Sequence, residues 1–224
     1  MLLDFNACKS VVERGKSGRY NLKPFITLLT GDARPGLGVT GQVGSGLAGT
    51  GTQVSLQRNG VPVRATQPDA GGRFVLSPLP AGVYDLVITS PGHATAVVTD
   101  VPVVAGQATT IGAAGSTIDL PKSAVRSVSG TVTPATASVR AVQTLADGRT
   151  VEVGWAPVDP TSGAFALGLP VAPPSTASFV ANGALSFVVE PPPVYTIEVQ
   201  AGTATKTQSI NITHPVPALA FVLP

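Results

Sequence analysis

No apolar run in this chain reaches helical length before a glycine or a proline cuts it. A helix face needs apolar residues at i, i+3, i+4 and i+7 over about 11 positions. Save for Leu2 to Arg14, no window carries that pattern uninterrupted by one of the 25 glycines or 21 prolines among the 224 residues. The β-branched pair Val11-Val12 leaves even that segment open between helix and strand. What survives between the breakers is alternation with period two, the pattern of half-buried strands. Disorder is excluded, because 43% of the residues are hydrophobic and the formal net charge is only +2. The expected fold class is all-β, built from antiparallel sandwiches.

Tyr20 to Leu29 reads as extended, with Pro24 marking an edge strand or a bulge. Thr30 to Gly38 is a linker rich in turn residues. Strands follow at Val39–Val43 and Val54–Arg58, and Asn59-Gly60 then signals a two-residue hairpin, since both central residues of that turn need positive φ. Val61–Thr66 returns as partner. Beyond it come Arg73–Leu76, Val83–Ile88, Ala94–Thr99, Val101–Val104 and Thr117–Leu120. Phe74 and Leu76 share one face of their strand, as do Tyr84, Leu86 and Ile88 of theirs.

The second half repeats this plan in order. Val128–Val132 echoes Val39–Val43 and Gly163–Pro170 echoes Gly72–Leu76 with Leu79-Pro80, each about 90 residues on, and Val194–Val199 echoes Val83–Ile88. The expectation is a tandem duplication: residues 1–37 as a strand-forming remnant and linker, 38–121 as a first sandwich, and 122–224 as a divergent second one. Val171 to Pro193, with Pro173-Pro174 and Pro191-Pro192-Pro193, is an insertion at the corner before Tyr195. Two separate hydrophobic cores are expected.

The succession Gly41-Gln42-Val43, Val54-Ser55-Leu56, Gly72-Arg73-Phe74-Val75-Leu76, Leu79-Pro80-Ala81-Gly82-Val83-Tyr84-Asp85-Leu86 and Ser90-Pro91-Gly92-His93 resembles the carboxypeptidase regulatory-like domain. That resemblance implies a transthyretin-like sandwich of the kind found in secreted and surface proteins. Leu2 to Val12 with Tyr20 to Ile26 is similar to the closing strands of an uncharacterised bacterial family of exported proteins, often lipoproteins. It implies an extracytoplasmic chain, at the bacterial surface, in the periplasm or secreted, with its export signal upstream of Met1.

Reactive constellations are not visible. The two histidines, His93 and His214, fall in turns far apart. Asp69, Asp147 and Asp159 lie beside Gly or Pro, where Asx-type turns account for them. No cofactor or metal site is expected, and Cys8, the single cysteine, reads as a small strand hydrophobe, with an intermolecular disulfide as the other reading. Cations are scattered apart from Lys9, Arg14, Lys16, Arg19 and Lys23, too loose a group for a nucleic-acid face. No apolar run of about 18 residues supports a transmembrane helix.

The expected function is therefore a non-catalytic structural or interaction module. A protein partner or self-association is expected, with strand addition as one route. Weak carbohydrate binding is the alternative, and Trp155 would be its contact residue. Alternation puts Trp155 in phase with Val151 and Val153, opposite Glu152, which predicts packing inward.

Overall fold

The computed structural model describes residues 38–49 and 51–224 in full, and upstream of them the backbone of four short strands. These are β1 (Leu2–Phe5), β2 (Val11–Glu13), β3 (Tyr20–Leu22) and β4 (Ile26–Leu29), with β1 antiparallel to β4 and β2 antiparallel to β3. The segment left open between helix and strand thus holds two strands. Cys8 and the loose group of cations lie outside the described residues.

Then come β5 (Gly38–Gln42), β6 (Gln53–Arg58), β7 (Val61–Thr66), β8 (Arg73–Leu76), β9 (Gly82–Thr89), β10 (Ala96–Val103) and β11 (Ala108–Thr110). The later strands are β12 (Val125–Thr133), β13 (Ser138–Thr144), β14 (Thr150–Ala156), β15 (Ala164–Pro170), β16 (Ser175–Ser178), β17 (Val188–Val189), β18 (Val194–Ala201), β19 (Ala204–Asn211) and β20 (Leu219–Val222). The chain is all-β; a single 3-10 turn at Ser45–Leu47 is the helical exception among the described residues.

Four sheets form two layered units. A six-stranded sheet ordered β17-β16-β10-β9-β6-β7 faces a three-stranded sheet ordered β11-β5-β8. A four-stranded sheet ordered β14-β13-β18-β19 faces β15-β12-β20. One core gathers Phe74, Leu76, Tyr84, Leu86 and Ile88, and the other gathers Phe165, Leu167, Leu169, Tyr195, Ile197 and Val199.

The turns explain the local geometry. Asn59 and Gly60 adopt φ of 52° and 69°, the two left-handed conformations the hairpin needs. Gly72 (φ 78°) and Gly163 (φ 70°) each back onto a carbonyl, Val43 O and Val132 O, where a Cβ would collide. Val43 and Val132 in turn donate their N–H groups to Gly72 O and Gly163 O at 2.8 and 2.9 Å.

Three expectations are corrected. The strand expected at Thr117–Leu120 shrinks to one bridge, Val43 to Ile118. The two strands expected around residues 94–104 are one strand, β10, whose register shifts between Val98 and Val101. Asp100 sits in that bulge at φ 60°.

The third correction is larger, because the two units are not separate. The insertion between β15 and β18 leaves the second unit and enters the first. Its strand β16 pairs parallel with β10, Val98 opposite Ala177, and Phe179, Leu185 and Phe187 pack against the first core. Ser175 and Phe179 donate their N–H groups to Thr95 O and Thr99 O, both at 2.9 Å. The edge that β10 would otherwise expose is thereby paired, which removes a site of uncontrolled association.

Elsewhere the edge strand β14 abuts the outer face of the six-stranded sheet. Val87 and Val97 meet Leu145 and Val151 in a small third cluster of buried residues.

Candidate functional site: the cleft between the two sandwiches

Gln57, on β6, is 1% exposed and carries the contact between the units. Its amide nitrogen donates to Glu152 O at 2.7 Å and its amide oxygen accepts from Glu152 N at 2.8 Å. The side chain therefore stands in for a neighbouring strand, satisfying both backbone groups on the free edge of β14. Arg140 donates to Gly60 O at 2.9 Å and to the Glu198 carboxylate at 2.7 Å. It also reaches Glu152 Oε2 at 3.4 Å, so the hairpin tip of the first unit docks on a charged group of the second.

Arg149 makes a second tie. Its guanidinium contacts Asp85 at 2.9 Å, Asp100 at 2.8 Å and Asp147 at 2.9 Å. Hydrogen bonding to Asp100 is the main cause that raises its pKa, with Asp85 adding to it against the effect of burial.

Beside these ties the units enclose a cleft of about 460 Å³. Its walls come from β6 and β9 on one side and from β14 and β15 on the other, and Trp155 and His93 both line it. The inward packing expected for Trp155 is not what the structure has. Register runs Ala141 to Gly154 and then Val142 to Glu152, so Val153 is an extra residue and the alternation changes phase across it. Ala156 joins the second core, while Trp155 is half-buried at the cleft.

His93, Glu152 and Ser90 share this lining, yet their polar atoms are engaged apart from one another. His93 Nδ1 lies 2.9 Å from Pro91 O, the Glu152 carboxylate faces Arg140, and Ser90 Oγ receives the Thr52 hydroxyl at 2.9 Å. The arrangement suits binding rather than proton transfer. His214 is exposed near the C-terminal end and is not among the residues lining the cleft.

The aspartates behave as turn formers. Asp69 Oδ1 accepts from Gly71 N and Arg73 N, and Asp159 Oδ1 from Thr161 N and Ser162 N, all at 2.8–2.9 Å. Tyr84 and Tyr195 are both core residues, and burial raises the pKa of each phenol; at Tyr84 the nearby Arg58, 4.5 Å from the ring centre, opposes it.

Residues 38–114 match the model of the carboxypeptidase regulatory-like domain. Over those residues the first unit is similar to that domain. No curated protein matches the chain. Among solved structures it is similar to a Streptococcal ancillary pilin, at 14% identity and a TM-score of 0.27, over 99% of this chain and 73% of that one. It is also similar to a "putative adhesin" from Bacteroides ovatus, at 11% identity and a TM-score of 0.25, over 88% of this chain and 95% of the other.

Proposed function

We propose that the chain is a non-catalytic structural module of an extracytoplasmic surface protein, two tandem sandwiches (residues 38–121 and 122–224) joined as one stiff spacer. The observation that carries this reading is the strand β16, which the second unit lends to the sheet of the first. A linker alone would let two sandwiches move independently; a shared sheet, the Gln57 amide bridge and the Val87–Val151 cluster oppose that. Stiffness between modules is what a surface spacer requires.

Backbone ¹⁵N relaxation tests the mechanical half: both units should report one rotational correlation time, and independent tumbling would overturn the spacer. A membrane-impermeant biotin reagent tests the location. It should label the protein on intact source cells, and labelling confined to lysed cells would refute a surface role.

A further inference from the structure

We infer that the cleft between the sandwiches binds a neutral saccharide ring, stacked on Trp155 and held at its edge by Gln53, Thr89 and His93. Chemistry narrows the occupant. Of the side chains lining the cleft only Glu152 and His93 are ionisable, and the Glu152 carboxylate already faces Arg140. With no lysine or arginine in the lining, an anionic ligand finds no permanent counter-charge there.

A purely apolar ligand fits as poorly, because it would strand polar groups that have no partner of their own. The Gln53 amide and the Thr89 hydroxyl make no hydrogen bond to other described residues, and His93 keeps Nε2 free once Nδ1 faces Pro91 O. Thr95, 1% exposed in the same lining, has a hydroxyl without a partner. Buried or half-buried polar groups of this kind gain most from a ligand that brings hydroxyls.

One flat aromatic surface with neutral donors and acceptors around it matches a pyranose, which has an apolar ring face and a hydroxyl rim. The volume, about 460 Å³, lies within the range of small-ligand sites, which favour boundaries between domains. The site is composite: Gln53 and Thr89 come from the first unit and Trp155 from the second.

Trp155 is the single tryptophan, so its emission reports the cleft alone. The intact chain is titrated with maltotriose, cellotriose and chitotriose, and with a proline-rich peptide as the rival occupant of an aromatic groove. A saturable change with at least one saccharide is expected. Calorimetry should then show affinity falling about tenfold in Trp155→Ala and severalfold in Gln53→Ala, with Trp155→Phe retaining most of it. Circular dichroism confirms that each variant is folded. No saturable response to any saccharide, tighter binding of the peptide, or affinity unchanged in folded Trp155→Ala would each overturn the inference. None of these outcomes bears on tumbling or cell labelling, so the spacer reading stands or falls separately.

Discussion

Tyr195 donates its hydroxyl to the carbonyl oxygen of Pro170 at 2.8 Å, across 25 residues of sequence. Tyr84 makes the same bond to Pro80, also at 2.8 Å, over four residues. The corner is the same in both units although the second has the long insertion running through it. The bond closes the base of that insertion, so Tyr195→Phe is expected to lower stability by about 1 kcal/mol. For a chain of this size the loss is ~2–4 °C in Tm, measured by differential scanning calorimetry.

Burial raises the Tyr195 pKa above its ordinary value of 10.0, and burial raises that of Tyr84 as well. The unfolded chain therefore loses these protons first as pH rises. Their contribution to stability is intact below about pH 10 and declines as pH climbs through the interval between the unfolded and folded values. Urea midpoints taken at alkaline pH should fall with rising pH, and less steeply in Tyr195→Phe; an unchanged slope would contradict the burial of this phenol.

Gln57→Ala leaves the N–H and C=O of Glu152 without their amide partners in a buried contact. Unsatisfied buried groups cost ~1–3 kcal/mol each, so a loss of about 2–4 kcal/mol is expected in urea unfolding. Gln57→Glu should be no better, since a carboxylate cannot donate to Glu152 O.

Arg149→Ala removes three ion pairs but should matter less. Its side chain is 36% exposed, and Asp100 and Asp147 are more exposed still. Exposed pairs contribute ~0–1 kcal/mol, and salt reduces that further. A loss below about 1 kcal/mol in low salt, vanishing in high salt, is expected. A larger, salt-independent loss would mean the guanidinium acts through packing.

Ala177→Asp places a carboxylate on β16 opposite Val98, where both residues are buried. A charge without a partner there should detach the strand from β10. Hydrogen exchange would show it as lost protection at Ser175 and Phe179 and faster exchange along β10, with the β12 to β15 amides unaffected. Uniform loss of protection across both units would instead indicate global unfolding.

Much of this architecture can be read from residues alone. Alternation places Phe74, Tyr84, Phe165 and Tyr195 in cores, and Asn59-Gly60 and Gly72 stand where positive φ is needed. The insertion was legible as a break in the repeat but not as a strand of the other unit, because Ser175–Ser178 is short, small and without an apolar stripe. Pairing over that distance has no local signature. Trp155 departs from simple alternation for a related reason: a bulge at Val153 changes the phase, and the lone Gly154 inside the strand is its one local sign. A signal for the contact between units did exist. Leu86-Val87-Ile88 and Ala96-Val97-Val98 are continuous apolar runs, the mark of strands covered on both faces.

The lent strand also sets an order of events during synthesis. Residues 38–121 leave the ribosome with one sheet margin still unsealed, and stay so until Ser178 has emerged. A nascent chain in that interval presents a sticky backbone to its neighbours. The first half of the protein must wait for the second before it is safe from aggregation.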